Sequence, residues 1–132
     1  MAIYGIGAMY DGTNDVSGDF VQNQIACVGW SAQDAPALHE MLKYIKPGDI
    51  VYIKSHPPNV GLIIEAVGIV VGNQVVDNPN LGHGVPVRWI WSGEHRIGTI
   101  NDKYNVRNLT LYEEFSFDVQ RTVIDLLTGA IH

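Results

Sequence analysis

Short apolar runs, separated by clusters of Gly, Pro, Asn and Asp, recur along the chain and predict a sheet of short strands. Strands are predicted at residues 2–9, 25–29, 50–55, 62–71, 85–91 and 109–112. Only the short loop with Pro57 and Pro58 separates the third strand from the fourth, which favours an antiparallel pair. Gly5 and Gly7 lie inside the first strand and indicate that another group approaches its backbone closely.

Apolar residues at helical spacing predict two helices. The first begins with Asp34 as its cap and extends to residue 45, and the second is capped by Ser116 and ends at Gly129. A further helical turn is predicted at residues 19–23. Only the first of the longer helices can supply the crossover that parallel strands need. The pattern therefore predicts an α+β fold, a small curved mixed β-barrel of five to six strands flanked by helices.

Four apolar residues of the predicted 85–91 strand share one face: Val85, Val87, Trp89 and Trp91. Trp89 shares this face with two valines and is predicted to lie in the core, whereas Trp91, near the strand's end, is predicted to be more exposed. Pro86 favours an edge position or the start of a strand, because proline cannot donate to a sheet. Residues 92–106 are polar and weakly patterned.

The composition indicates one soluble domain over residues 1–132. Cys27 is the only cysteine, and the first residues lack the basic region and cleavage site of a signal peptide, so a cytoplasmic location is expected. No segment approaches the ~18 apolar residues of a membrane span. The net charge of −6 argues against a protein that mainly grips phosphate backbones. A local basic rim would have to use Lys54, Arg88, Arg96, Lys103 and Arg107.

Sequence signatures of catalysis and metal binding are absent. The five histidines stand at no ligand spacing from one another, and there is no nucleophile elbow or phosphate-binding loop. Ser55 and His56 adjoin, but neighbours on a strand point to opposite faces, which argues against a Ser–His couple. Glu113 and Glu114 are predicted to be a solvated edge. The sequence therefore predicts a protein that is not an enzyme and has no cofactor or metal.

Aromatic and polar side chains stand at the ends of three predicted strands: Tyr10 and Asp11, then Trp30, then Lys54, Ser55 and His56. If the first and third strands are neighbours, these ends converge on one mouth. A planar heteroaromatic ligand needs a face for stacking and polar groups for its edge. The sequence therefore predicts a ligand site at this mouth. A core position is the alternative interpretation of Trp30.

A series of short motifs in a fixed order carries a resemblance to a known family. They are Gly29-Trp30, a short helix, Lys46-Pro47-Gly48-Asp49 before a strand, Lys54-Ser55-His56-Pro57-Pro58-Asn59, a return strand ending Gly68-Ile69-Val70, and Val85-Pro86-Val87-Arg88-Trp89. This order resembles the PUA-like superfamily, closest to its EVE branch and to the related reader domains at the N-termini of modification-dependent restriction systems. The similarity covers roughly residues 3–112.

The resemblance implies a small curved barrel with a pocket that accepts a flipped, often modified, nucleobase between aromatic side chains. Carried over by position, Trp30 is a pocket wall and Lys54, Ser55 and His56 form the rim, with a weaker match for Tyr10 and Asp11. Trp91 completes the expected ligand-binding set. The chain departs from the pattern in its acidity and in carrying no nuclease or motor, so a protein partner is expected to supply any effector activity.

Three functions are therefore considered. The favoured one is a non-catalytic module that binds a modified nucleobase or nucleotide, free or in DNA or RNA. The alternative is a small-molecule or protein-binding adaptor on the same fold, without nucleic acid. A third, weaker option is an amidohydrolase-like activity, for which Lys54 with Asp11 or Glu65 is the available pair.

Overall fold

The computed structural model of the protein describes residues 1–100 and 106–132. The strands are β1 (Ile3–Gly7), β2 (Met9–Tyr10), β3 (Asn14–Asp15), β4 (Ile25–Val28), β5 (Ile50–Ser55), β6 (Leu62–Val70), β7 (Val76–Asn78), β8 (Gly82–Gly98) and β9 (Leu111–Glu113). The helices are α1 (Ser17–Asn23), α2 (Pro36–Tyr44) and α3 (Phe117–Thr128).

Six strands form one curled sheet, a half-barrel with the order β4-β8-β6-β5-β1-β9, and β7 pairs with the beginning of β8. β1 and β5 run parallel, and the other neighbours along this path are antiparallel. β2 and β3 form a separate small hairpin. The predicted α+β class and the curved mixed sheet are therefore confirmed.

The two faces of the sheet bury two separate cores. The first core includes Phe20 of α1 and Leu42 of α2, together with residues from β1, β4, β5, β6, β8 and β9. The second core packs α3 against the opposite face through Val119, Val123 and Leu126. Cys27 lies in the first core as the sequence predicted, and burial raises the pKa of its thiol to about 12. Each face of the sheet thus has its own helical cover.

The central hairpin is the best-predicted part of the fold. β5 occupies the predicted residues, β6 ends one residue earlier than predicted, and the two strands pair antiparallel. β1 lies beside β5, as the predicted mouth requires. The ring of Tyr112 fills the place where a side chain on Gly5 would stand, which explains the glycine in this strand. Ser116 caps α3 by accepting a hydrogen bond from the backbone N–H of Val119, and Gly129 ends the helix in the left-handed conformation.

Helix α2 begins differently from the prediction. Its cap residue is Ala35 rather than Asp34, and no side chain makes a capping hydrogen bond. The backbone N–H of Asp34 instead bonds to the hydroxyl of Ser31, at 3.1 Å. The proline at the first helical position supplies the fixed φ that starts the helix without a polar cap.

Strand β8 is much longer than predicted, because it continues through polar residues to Gly98. Pro86 lies inside this strand, opposite Ile25 of β4, rather than at an edge or a strand start. Its carbonyl accepts from the N–H of Val71, so its nitrogen faces the same side, where β6 has already ended at Val70. The missing N–H therefore falls where the pairing of β6 with β8 ends and not inside it.

The prediction that Trp91 shares a face with Trp89 is wrong. Trp89 is opposite Gly68 and Trp91 is opposite Val67, so one extra residue of β8 lies between two adjacent residues of β6. This bulge turns Trp91 toward the second core, while Trp89 packs on the first core as predicted. The indole N–H of Trp89 donates to the carbonyl of Phe20, at 3.0 Å.

Candidate binding site at the ends of strands β1 and β5

Because β1 and β5 are parallel, their carboxyl ends lie side by side, with Gly7 opposite Lys54. A Cβ atom on Gly7 would lie 3.5 Å from Cε and 3.6 Å from Nζ of Lys54. The lysine side chain therefore lies across the glycine and can do so because that position carries no side chain. This is the end of the sheet at which the sequence predicts a ligand site.

Residues 106–110 run across this end of the sheet and bond to three of the predicted site residues. Nζ of Lys54 donates to the carbonyl oxygen of Arg107, at 2.7 Å. A ring nitrogen of His56 lies 2.9 Å from the side-chain oxygen of Asn108. The indole N–H of Trp30 donates to the hydroxyl of Thr110, at 3.2 Å. The structure thus brings Trp30, Lys54 and His56 together along one segment.

Trp30 lies outside both cores, with 56% of its surface exposed. Thr110 nevertheless binds the N–H of its ring, and Nε2 of His39 lies 2.7 Å from its backbone carbonyl oxygen. The His39 ring in turn packs edge-on against His83, with 5.0 Å between ring centroids. An exposed aromatic face in a fixed orientation is suited to stacking on a flat ligand.

A buried ionic network lies beneath Lys54. Arg107 pairs with Glu114, and both side chains are buried. Glu114 also accepts from the hydroxyl of Tyr52, at 2.6 Å, and from the backbone N–H of Ser116, at 3.0 Å. The hydroxyls of Tyr52 and Tyr112 are 2.7 Å apart. This side of the sheet is closed and fully bonded.

Two predictions are corrected by this network. Glu114 is buried rather than part of a solvated edge, because an arginine and a tyrosine neutralise and bond its carboxylate. Arg107 is likewise buried and paired, so it cannot form a basic rim. Lys103 lies outside the described residues. Arg88 and Arg96 are exposed on β8.

The electrostatics of the network follow from its burial. Burial is the main cause that raises the pKa of Tyr52 and of Tyr112 above the usual range, so both phenols stay protonated. Burial also lowers the pKa of Lys54, whose Nζ lies 5.9 Å from the centre of the Tyr112 ring. A negatively charged group brought next to Lys54 would favour its charged form and oppose this shift.

Ser55 leaves β5 on the opposite side from Lys54 and forms part of a different environment. Its hydroxyl and that of Ser17 lie near the Glu65 carboxylate, and hydrogen bonding to them acts to lower the pKa of Glu65. Glu65 lines a cavity of about 420 Å³ whose other lining residues are Asp15, Ser17, Gly18, Val21, Gln22, Ile53, Ala66, Ser92, Gly93 and Glu94. Burial and the nearby carboxylates of Asp15 and Glu94 raise the pKa of Glu65, although the serine hydrogen bonds oppose this.

The remaining predicted site residues have their contacts elsewhere. The Tyr10 hydroxyl donates to the carbonyl of Leu81, at 2.6 Å, and its ring packs edge-on against Phe20, with 6.1 Å between centroids. Asp11 is exposed in a turn, with a positive φ of 55°. Trp91 packs on the second core. The Lys54–Glu65 pair considered for hydrolysis is not assembled, because Lys54 bonds to Arg107 and Glu65 faces the other side of the sheet.

Asn108 and Thr110 are the residues of this site that the sequence did not indicate. They precede β9, and they reach the site only because β9 pairs with β1, a pairing between distant parts of the chain. The backbone N–H of Gly7 fixes this arrangement by donating to the carbonyl of Thr110, at 2.8 Å. A polar pair before a short strand carries no local signal of such a role.

Within residues 1–100 and 106–132, no group of three or more His, Cys, Asp or Glu side chains is arranged to hold a metal ion. None of the helices in these ranges has the length and apolar character needed to span a bilayer. Comparison with known proteins gives no family model that matches the sequence and no curated protein that matches it. The site must therefore be interpreted from its own geometry.

Proposed function

We propose that the protein is a non-catalytic binding module, PUA-like and closest to the EVE branch, that recognises a modified nucleobase or nucleotide. The ligand stacks on Trp30 at the carboxyl ends of β1 and β5. The observation that carries this proposal is the exposed indole of Trp30, whose N–H is bonded to Thr110 while His39 bonds to the backbone of the same residue. Unlike the exposed Tyr44 of α2, Trp30 lies beside the polar side chains at the ends of β1 and β5.

Lys54 and His56 supply the polar part of the proposed site. Both bond to residues 107–108, beside the Thr110 that holds the indole. Hydrogen bonds from these groups would select the edge of the stacked base, while Trp30 supplies affinity that does not depend on the base. Stacking of a base on an aromatic side chain contributes ~1–3 kcal/mol. Such a ligand can be a free nucleotide or a base flipped from DNA or RNA.

The acidic charge supports a second candidate, a small-molecule or protein-binding adaptor without nucleic acid. A net charge of −6 disfavours a long polyphosphate backbone, and two of the five predicted rim cations, Lys54 and Arg107, are partly or fully buried. Under either proposal a protein partner supplies any effector activity. A cytoplasmic location is also proposed, on the ground that Cys27 is a single buried thiol.

The test is a calorimetric titration of the protein at low salt. The ligands are methylated and unmodified nucleosides and single- and double-stranded oligonucleotides. For the nucleoside or oligonucleotide that binds best, Trp30→Ala should weaken binding roughly 5- to 150-fold, the equivalent of the stacking energy. Lys54→Met should change the preference among bases. Tyr44→Ala is the matched control, because Tyr44 is also an exposed aromatic residue but lies on α2.

Two results would exclude nucleobase recognition. One is the absence of binding to every nucleoside and oligonucleotide at low salt. The other is a Trp30→Ala protein that binds as tightly as the parent, or one that loses no more affinity than Tyr44→Ala does. A ligand retained through purification and seen by native mass spectrometry, with no oligonucleotide binding, would favour the adaptor.

A further inference from the structure

Strand β9 ends the sheet and leaves one side of its backbone facing away from β1. Thr110 accepts a hydrogen bond from Gly7, and Glu114 donates one to Ile3. Backbone groups alternate in direction along an antiparallel strand, so those of Leu111 and Glu113 point outward. In the part of the chain that the structure describes, no strand pairs with this side of β9.

A groove of about 750 Å³ runs along this outer side. Six consecutive residues line it, from Leu111 to Ser116, together with Met41, Val106, Arg107 and Leu109. Leu111 belongs to the first core and Tyr112 to the second, so the lining residues come from both faces of the sheet. The groove therefore includes the open edge of β9, to which an extended strand can add through backbone hydrogen bonds.

Two exposed apolar side chains flank the open edge. Leu109 has 54% of its surface exposed and Phe115 has 76%. Exposed apolar residues beside an unpaired strand edge are costly in water and favour pairing with another chain. Lysine and proline, with which proteins protect such edges, are absent from residues 109–115.

We propose that a second copy of this chain occupies the groove, with its β9 antiparallel to the first and a two-fold axis at Tyr112. This arrangement places Leu111 opposite Glu113 of the second copy, so the outward backbone groups meet as hydrogen-bonded pairs. Leu109 ends the turn before β9, where its backbone N–H bonds to the carbonyl of Val106, and Phe115 follows β9. The same two-fold axis brings the side chain of Leu109 beside that of Phe115 of the second copy. Leu109 and Phe115 stand equally far from Tyr112 in sequence. The two-fold axis therefore gives the dimer two equivalent contacts between a Leu109 and a Phe115.

This symmetry is the reason for choosing a second copy over an unrelated peptide. An isologous interface requires that one patch be complementary to itself, and β9 with its flanks meets that condition. A peptide from another protein would place no such demand on the spacing. The strand is short and each copy carries a net charge of −6, so we expect a reversible dimer that dissociates in the micromolar range and tightens with salt.

Sedimentation equilibrium of the full chain over a range of concentrations tests the proposal. The parent should dimerise, and Leu109→Lys and Phe115→Glu should each weaken the dimer at least tenfold. Val71→Lys is the matched control, because Val71 is a similarly exposed apolar residue at the end of β6. Circular dichroism and thermal unfolding confirm that each variant remains folded.

The register has its own test in a mixture of the two variants. A mixed dimer of Leu109→Lys and Phe115→Glu chains keeps one native Leu–Phe pair and replaces the other by a lysine opposite a glutamate. Mixing should therefore restore dimers that neither variant forms alone. A parent that stays monomeric at all concentrations, a dimer that both variants leave intact, or a mixture that stays monomeric would overturn the proposal. None of these outcomes depends on ligand binding at Trp30.

Discussion

The two sides of β5 at its carboxyl end differ sharply, although Lys54 and Ser55 are adjacent in sequence. On the Lys54 side, the charge of Glu114 is buried with an arginine partner and with hydrogen bonds from Tyr52 and Ser116. On the Ser55 side, Glu65 lines an open polar cavity, with two hydroxyls and two further carboxylates nearby. One side is a closed ionic network and the other is a water-accessible acidic cavity.

The comparison shows that alternation along one strand can divide a polar motif between two functions. A buried charge is tolerated only where partners neutralise it, so removing one partner on the Lys54 side should be costly. A half-buried carboxyl without a cation partner instead shifts its pKa and remains free to titrate. We therefore expect changes on the Lys54 side to affect stability strongly and changes on the Ser55 side to act mainly through pH.

The largest effect should come from breaking the closed network. Glu114→Ala leaves Arg107 as a buried charge without its carboxylate, which should lower the free energy of unfolding by about 3–5 kcal/mol. Urea unfolding, monitored by circular dichroism, measures the change in the free energy of unfolding. Glu113→Ala, at the neighbouring half-buried position, should cost less than about 1 kcal/mol. Equal losses in the two variants would show that the buried pairing of Glu114 with Arg107 is not what the stability depends on.

A smaller effect is expected from crowding the same side. Gly5→Ala places a methyl group where the Tyr112 ring now lies, which should cost about 1–3 kcal/mol. Gly18 is the matched control, because it lies in α1 and a Cβ atom there would have no neighbour within 4 Å. Gly18→Ala should leave stability unchanged or raise it by up to about 1 kcal/mol. If Gly5→Ala unfolds at the same urea concentration as the parent, the packing of Tyr112 against β1 does not contribute as described.

The smallest effect should appear on the Ser55 side and should depend on pH. Because the pKa of Glu65 is raised in the folded protein, its protonated form contributes stability below the unfolded pKa, and this is lost as pH rises through the folded value. Glu65→Gln removes the loss. The variant should therefore match the parent in acid and exceed it near neutral pH, with a melting temperature about 1–3 °C higher.

The measurement is thermal unfolding of the parent and of Glu65→Gln at a series of pH values from acid to neutral. Asp34→Asn is the control for removal of one negative charge, because Asp34 is exposed and lies away from the cavity. A difference that is constant with pH, or one that is largest in acid, would show that the Glu65 carboxyl does not titrate as inferred.

The sequence predicts the parts of this fold whose signals are local. The β5–β6 hairpin, the Ser116 cap and the Gly129 stop are all determined by residues close in the chain, and all three are confirmed. The face of Trp91 could not be predicted, because it depends on a bulge in the pairing of β8 with β6. A bulge reverses the side on which every later side chain points.

The candidate site was predicted in part for the same reason. Trp30, Lys54 and His56 stand at strand ends, where the alternating pattern stops, and the sequence therefore indicated them. Their partners Asn108 and Thr110 depend on the pairing of β1 with β9, which no local pattern encodes. The burial of Glu114 likewise depends on Tyr52, a residue on another strand.

The position of β1 between β5 and β9 also affects how the protein can be made. β5 is near the middle of the chain and β9 is near residue 113, so β1 is synthesised long before either neighbour. During translation the backbone N–H and C=O groups of this apolar strand have no partner in the sheet until these later segments leave the ribosome. The strand β1 can therefore pair with β5 once the middle of the chain has been made, but the half-barrel is complete around it only after β9 has been made.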